Sequence, residues 1–152
     1  MKVISLPNEI LIPQVCQVLA DGQEAVLNVR GSSMNPFIDG DRDSVVLKKE
    51  TDYHVGDIVL AQIGEGVYVL HRILELKSDG TVVIMGDGNL QGREHCFRNQ
   101  LYGRAIEVVK PSGRHKSLIS PKAMRQASAW RRLLPIRRYL LAFYRRIILK
   151  LK

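Results

Sequence analysis

Apolar and polar positions change rhythm twice along this chain. Between Asn8 and Ala20, the residues Ile10, Leu11, Val15, Val18 and Leu19 predict an amphipathic helix capped by Asn8, with Pro13 early enough to be tolerated and Asp21-Gly22 ending it. From Gln23 to Arg30 the period shortens to two, and apolar runs then recur at Ser44 to Lys48, Ile58 to Gln62, Val67 to Leu74, Val82 to Met85 and Leu101 to Val109. Turn chemistry separates them: Gly64-Glu65-Gly66, Ser78-Asp79-Gly80, Gly86-Asp87-Gly88-Asn89 and Pro111-Ser112-Gly113. About six or seven short strands at this spacing predict a mainly β fold, a bent antiparallel sheet or partly open barrel behind an N-terminal helix.

The helical rhythm returns near Pro121. Lys122 to Leu134 and, past Pro135, Ile136 to Lys152 predict two helices or one kinked helix. Ile136, Leu140, Phe143, Tyr144, Ile147 and Leu151 fall on one side, with Arg138, Arg145, Arg146, Lys150 and Lys152 opposite; Arg137 lies at the edge and is expected to snorkel. The division expected is therefore a catalytic-sized body, residues 1–121, and a basic amphipathic tail, residues 122–152.

Charge sharpens that division. The 152 residues carry a net charge of +8, but residues 122–152 hold ten Lys or Arg and no acid, leaving thirteen basic and fifteen acidic side chains in the body. The tail, not the body, would meet an anionic membrane surface. Nucleic acid is not expected as a partner, because a solitary basic helix without base-reading Asn or Gln offers phosphate attraction alone. Cys16 and Cys96 have neither CxxC spacing nor a zinc-like His pattern, so free thiols and no metal or cofactor are expected. Met1 to Pro7 does not read as an export signal and no apolar run is long enough to span a bilayer, which leads to the expectation of a cytoplasmic protein, peripheral on the inner face of a membrane where the tail engages lipid.

Candidate chemistry begins in the loop after the second element, Gly31-Ser32-Ser33-Met34-Asn35-Pro36-Phe37-Ile38-Asp39-Gly40-Asp41, where two adjacent hydroxyls stand between two predicted strands. Alone it is an ordinary turn. A serine needs a base to become a nucleophile, and His71, set in the otherwise apolar strand Tyr68-Val69-Leu70-His71-Arg72-Ile73-Leu74, is the one histidine held by rigid backbone. Asp87, in the turn after the next strand, is the candidate carboxylate to orient it.

These segments also resemble a known family. Ser33-Met34-Asn35-Pro36 with Gly40-Asp41 is similar to the Ser-Met-x-Pro box of type I signal peptidases and of self-cleaving repressors related to the SOS repressor. Gly56-Asp57-Ile58-Val59, Leu70-His71-Arg72-Ile73 and Gly86-Asp87-Gly88-Asn89 resemble that superfamily's later boxes, in the correct order over residues 25–109. The resemblance implies that Ser33 is the nucleophile and that the fold is a bent antiparallel β-fold. Bacterial members place a lysine base where this chain has His71, so the chain is similar to the endoplasmic-reticulum and archaeal type, in which His is the base. An imidazole with an ordinary pKa of about 6.5 accepts a proton near neutrality without the desolvation a lysine requires. In that type an acidic residue beyond the Gly-Asp box completes a triad; Asp87 is the first choice here and Glu94 the second. Gly31 replaces a serine that helps hold the oxyanion in many bacterial members, which leaves that role to the Ser33 amide with the Ser32 hydroxyl or a neighbouring amide, and Met34 as loop support.

The expectation is a serine endopeptidase acting on a peptide or protein substrate through Ser33, His71 and Asp87. Two alternatives stay open: a self-cleaving repressor-like regulator, and a catalytically inactive module that binds peptides or partners.

Overall fold

The structure, a computed structural model, describes residues 2–3 and 8–10 by their backbone and residues 11–148 in full. The side chains expected to cap and line the first helix at Asn8 and Ile10, and Lys150, Leu151 and Lys152 of the tail, lie outside the described residues. The described chain runs β1 (Lys2–Val3), α1 (Asn8–Ala20), β2 (Ala25–Asn28), β3 (Ser44–Lys48), β4 (Ile58–Gly64), β5 (Val67–Leu76), β6 (Thr81–Met85), β7 (Glu94–Phe97), β8 (Leu101–Val109), β9 (His115–Ser117), α2 (Pro121–Arg132) and α3 (Arg137–Phe143).

One sheet takes in all nine strands, in the order β1-β2-β3-β8-β4-β5-β6-β7, with β9 beside β8. Every pairing is antiparallel except β1 with β2. The fold is mainly β as expected, and the sheet stays open: among the described residues β1 and β7 end it without pairing to each other. Three of the strands, β1, β7 and β9, were not anticipated, and β7 proves the consequential one.

Strand β4 lies centrally, so it is apolar on both faces. Ile58 and Leu60 join one core with Leu11, Val15 and Leu19 of α1, Leu27 of β2 and Met34 and Ile38 of the serine loop. Val59 and Ala61 join a second core with Ile73, Val82, Ile84 and Cys96. Period-two alternation thus assigns successive residues of β4 to different cores, and the same rule governs its neighbour β5. Val59 pairs with His71 and Ile58 with Arg72, so His71 shares the face of the second core while Arg72 points to the opposite side.

The tail is anchored to this body. Ser120 caps α2 by accepting a hydrogen bond from the Ala123 amide at 3.1 Å, and Pro121 occupies the first turn, where its missing N–H costs nothing. Ala127 and Trp130 are buried on its inner side, and Pro135 sits in a short 3-10 turn, Leu134–Ile136, that redirects the chain into α3. Arg137 does not snorkel: it is 2% exposed, with its guanidinium 5.2 Å from the centre of the Trp130 ring. Among the described residues no helix is long and apolar enough to cross a membrane.

Candidate active site

The serine loop is drawn tight at both ends where it leaves the sheet. The Val29 amide donates to Asp43 O at 3.0 Å and the Asp41 amide to Val29 O at 2.7 Å, while the Gly31 amide reaches Asp41 Oδ1 at 3.3 Å. Asp41 adopts φ 68°, a left-handed conformation that Asp tolerates better than most residues. Met34, 1% exposed, drops from the loop into the α1 core; burying a side chain of this size contributes about 1.5–3 kcal/mol, enough to hold the loop in one position. Ser33 is half-buried and Ser32 exposed. Asn35 follows with a cis bond to Pro36, and its amide donates to Ser32 O at 3.1 Å.

The Gly86-Asp87-Gly88-Asn89 turn presses directly against the back of this loop. The Gly88 amide donates to Ser33 O at 2.7 Å. A Cβ at Gly86 would collide with Ser33 O, and one at Gly88 with Ser32 O, so backbone meets backbone here and only glycine leaves room for it.

His71 and Ser33 line one cleft of about 190 Å³, whose walls include Leu27, Val29, Met34, Leu60 and Tyr68. A larger hollow, about 400 Å³ between Cys16, Tyr53 and Tyr102, contains none of the expected site residues. The carboxylate beside His71 is not the one expected first. Glu94 Oε1 stands 2.7 Å from His71 Nδ1, a close approach that does not meet hydrogen-bond geometry. Strand β7 delivers it: Glu94 pairs with Ile84, which pairs with Ile73, so Glu94 lies on the same sheet face as Ile73 and, two residues away, His71.

Asp87 faces the other way and is fully engaged. Its two oxygens receive Arg72 Nε at 2.8 Å and Arg72 Nη2 at 2.6 Å, with the acid 2% and the base 3% exposed. The same guanidinium donates through Nη1 to Gly56 O at 2.7 Å and lies 5.3 Å from the centre of the Phe37 ring. Trp130 Nε1 donates to Asp87 O at 2.9 Å, and its ring meets Phe37 edge-on at 6.0 Å. Arg72 therefore ties together three of the sequence motifs, at Phe37, Gly56 and Asp87, while its neighbour His71 belongs to the cleft. That Trp130 of the tail closes this cluster was not anticipated; a lone tryptophan on a helix otherwise rich in basic residues was the available signal.

Burial lowers the pKa of His71 below its ordinary 6.5, against upward pulls from Glu94 and, more weakly, from Asp87. That direction favours the neutral ring, the form able to accept a proton. Burial pushes the Cys16 and Cys96 thiols up to about 11, which disfavours the nucleophilic thiolate near neutral pH. Among the described residues no group of three or more His, Cys, Asp or Glu side chains is placed to hold a metal ion.

The open, mainly antiparallel sheet sets the Ser-Met-x-Pro loop and a strand histidine on one cleft. The Peptidase S24-like family model matches residues 4–93, more than half of the chain, and the chain belongs to that family. The matched span ends one residue before Glu94 and excludes β8 and the tail. No curated protein matches the chain.

Proposed function

We propose that the chain is a serine endopeptidase in which Ser33 attacks, His71 is the general base and Glu94 orients the imidazole. The observation that carries this reading is that Ser33 and His71 line the same cleft while Glu94 Oε1 occupies the Nδ1 side of the ring at 2.7 Å. A proton held on Nδ1, the atom 2.7 Å from Glu94 Oε1, leaves the Nε2 lone pair as the free acceptor. It takes the Ser33 hydroxyl proton as Oγ bonds to the substrate's carbonyl carbon. The tetrahedral intermediate collapses when the scissile C–N bond breaks and the imidazolium returns that proton to the leaving amine. Water, deprotonated by the same nitrogen, then releases the acyl group. The Ser33 amide, which donates to no backbone carbonyl among the described residues, is available to the oxyanion.

A labelling experiment tests the base. The rate at which a fluorophosphonate labels Ser33 is expected to rise with pH along a single limb whose midpoint lies below 6.5, because the depressed His71 loses its proton early. Glu94 pulls the His71 pKa up, so Glu94→Gln removes that pull and moves the midpoint to still lower pH; loss of the orienting charge lowers the plateau by roughly 10²-fold. A midpoint that stays in place or moves upward in Glu94→Gln contradicts the assignment.

One observation favours self-cleavage as a second reading. Lys2 and Val3 pair in parallel with Ala25 and Val26 of β2, the strand whose later residues Leu27 and Asn28 line the cleft. Lys2 and Val3 thus run in the same direction as the strand that leads to Ser33. Mass spectrometry of the purified chain incubated alone distinguishes the two: a self-cleaver releases an N-terminal fragment at a rate independent of protein concentration, and an enzyme acting on other chains stays at full mass.

A further inference from the structure

The outer side of the tail presents an apolar stripe to water. Tyr139 is 67% exposed and Phe143 60%, and Ile136 and Ile147 are also exposed. These four recur at intervals of three and four residues, from the 3-10 turn at Ile136 through α3 into the π-helical turn Tyr144–Ile148 that follows it, and all four are exposed. The expected apolar face does not pack as one: Leu140 and Tyr144 are half-buried and Ile136, Phe143 and Ile147 are exposed, while the buried positions, Arg137 and Leu141, lie beside that face. Trp130 and Arg137 fix that orientation, since Trp130 donates to Asp87 O and Arg137 Nη1 donates to Asn89 O at 3.3 Å. Exposed cations border the stripe: Arg132, Arg138, Arg145 and Arg146, with the Arg138 guanidinium 5.5 Å from the centre of the Tyr139 ring.

We propose that this stripe is a docking surface for an anionic lipid bilayer, on which the tail lies in the interfacial plane. Aromatic and aliphatic side chains between arginines match an interface that is apolar below and negative above. Charge decides against the other occupants. Two copies meeting through this face would bring together two tails that each carry ten basic residues and no acid between 122 and 152, with nothing in either to neutralise the other. A nucleic acid would satisfy the arginines but leave Ile136, Tyr139, Phe143 and Ile147 against phosphates. Because the inner side of the same tail closes the cluster behind the serine loop, the bilayer would hold the cleft at a set orientation, whatever reaction the cleft performs.

Flotation of the full chain with vesicles tests this. It is expected to float with phosphatidylcholine vesicles containing about 30% phosphatidylglycerol and not with pure phosphatidylcholine. Binding weakens as sodium chloride rises from about 0.1 M to about 0.5 M, where the Debye length falls from about 10 Å to about 4 Å. The double variant Tyr139→Ser with Phe143→Ser, and separately Arg145→Gln with Arg146→Gln, each bind at least about 10-fold more weakly. All four positions are exposed, so the urea transition of each variant overlays that of the parent. Failure to float, equal binding to neutral vesicles, salt-insensitive binding or unaltered binding by both variants overturns the proposal. So does a mass by light scattering that doubles with concentration in the parent and not in Tyr139→Ser with Phe143→Ser, which would assign the stripe to a second copy.

Discussion

Ser33→Ala abolishes fluorophosphonate labelling and peptide cleavage, with a residual rate at least about 10³-fold below the parent, while Ser32→Ala retains most of both. The asymmetry follows from the loop. Ser33 is half-buried on the cleft wall with His71, whereas Ser32 is exposed and outside the residues lining that cleft. Neither hydroxyl makes a hydrogen bond to the protein among the described residues, so its removal leaves no buried partner stranded, and both variants are expected to unfold within about 0.5 kcal/mol of the parent. Cleavage is followed on a mixture of extended peptides by mass spectrometry, and stability by urea denaturation of the same samples. Normal cleavage by a folded Ser33→Ala chain would remove Ser33 as the nucleophile, absence of both labelling and cleavage in the parent would return the protein to the non-enzymatic reading, and loss of activity in Ser32→Ala with Ser33→Ala unaffected would move the nucleophile by one residue.

How legible the site is in the sequence depends on the kind of signal each residue gives. The fold class was legible because alternation and turn chemistry are local, and β4 and β5 stand where their apolar runs placed them. That the serine loop and His71 meet in one cleft was legible because each interrupts a local pattern, two hydroxyls in a tight loop and an imidazole in an apolar strand, while the choice of Ser33 over Ser32 came from the resemblance of Ser33-Met34-Asn35-Pro36 to the Ser-Met-x-Pro box. The carboxylate that stands beside His71 was not. Asp87 sits in a motif and Glu94 in a four-residue strand with one buried side chain, Cys96, too short and too polar to show a period of two. Its pairing with β6, which carries Glu94 across to His71, is a long-range register invisible in local composition. Adjacent residues on a strand also face apart, so when Arg72 is turned toward Asp87, His71 is turned from it. The tail shows the same limit: its helical spacing was visible, but which side packs inward was decided by Trp130 and by the burial of Arg137, an arginine whose place on the inner side no amphipathic pattern marks.

Asp87→Ala is expected to cost about 3–5 kcal/mol of stability, the characteristic penalty for leaving one member of a buried ion pair without its counter-charge. The stranded group would be Arg72, 3% exposed, with Nε and Nη2 both losing their acceptors and only the Nη1 bond to Gly56 O remaining. The loss propagates to catalysis only through position, because the Asp87 turn supports Ser33 through the Gly88 amide and meets the tail through Trp130. Glu94→Gln behaves oppositely. The Glu94 side chain is 26% exposed and retains access to water, so its stability change stays within about 1 kcal/mol while the labelling rate and its pH midpoint move. Urea denaturation of both variants, paired with the pH dependence of labelling measured below the onset of unfolding, separates the two carboxylates. A folded Asp87→Ala protein with unchanged urea midpoint and a larger pH shift than Glu94→Gln would exchange their roles, making Asp87 the partner of His71 and Glu94 a bystander at the cleft's edge. The expected pattern instead assigns one carboxylate to hold the loop and the other to hold the base, with the alternation of β5 at His71 and Arg72 keeping the two functions on opposite faces of one strand.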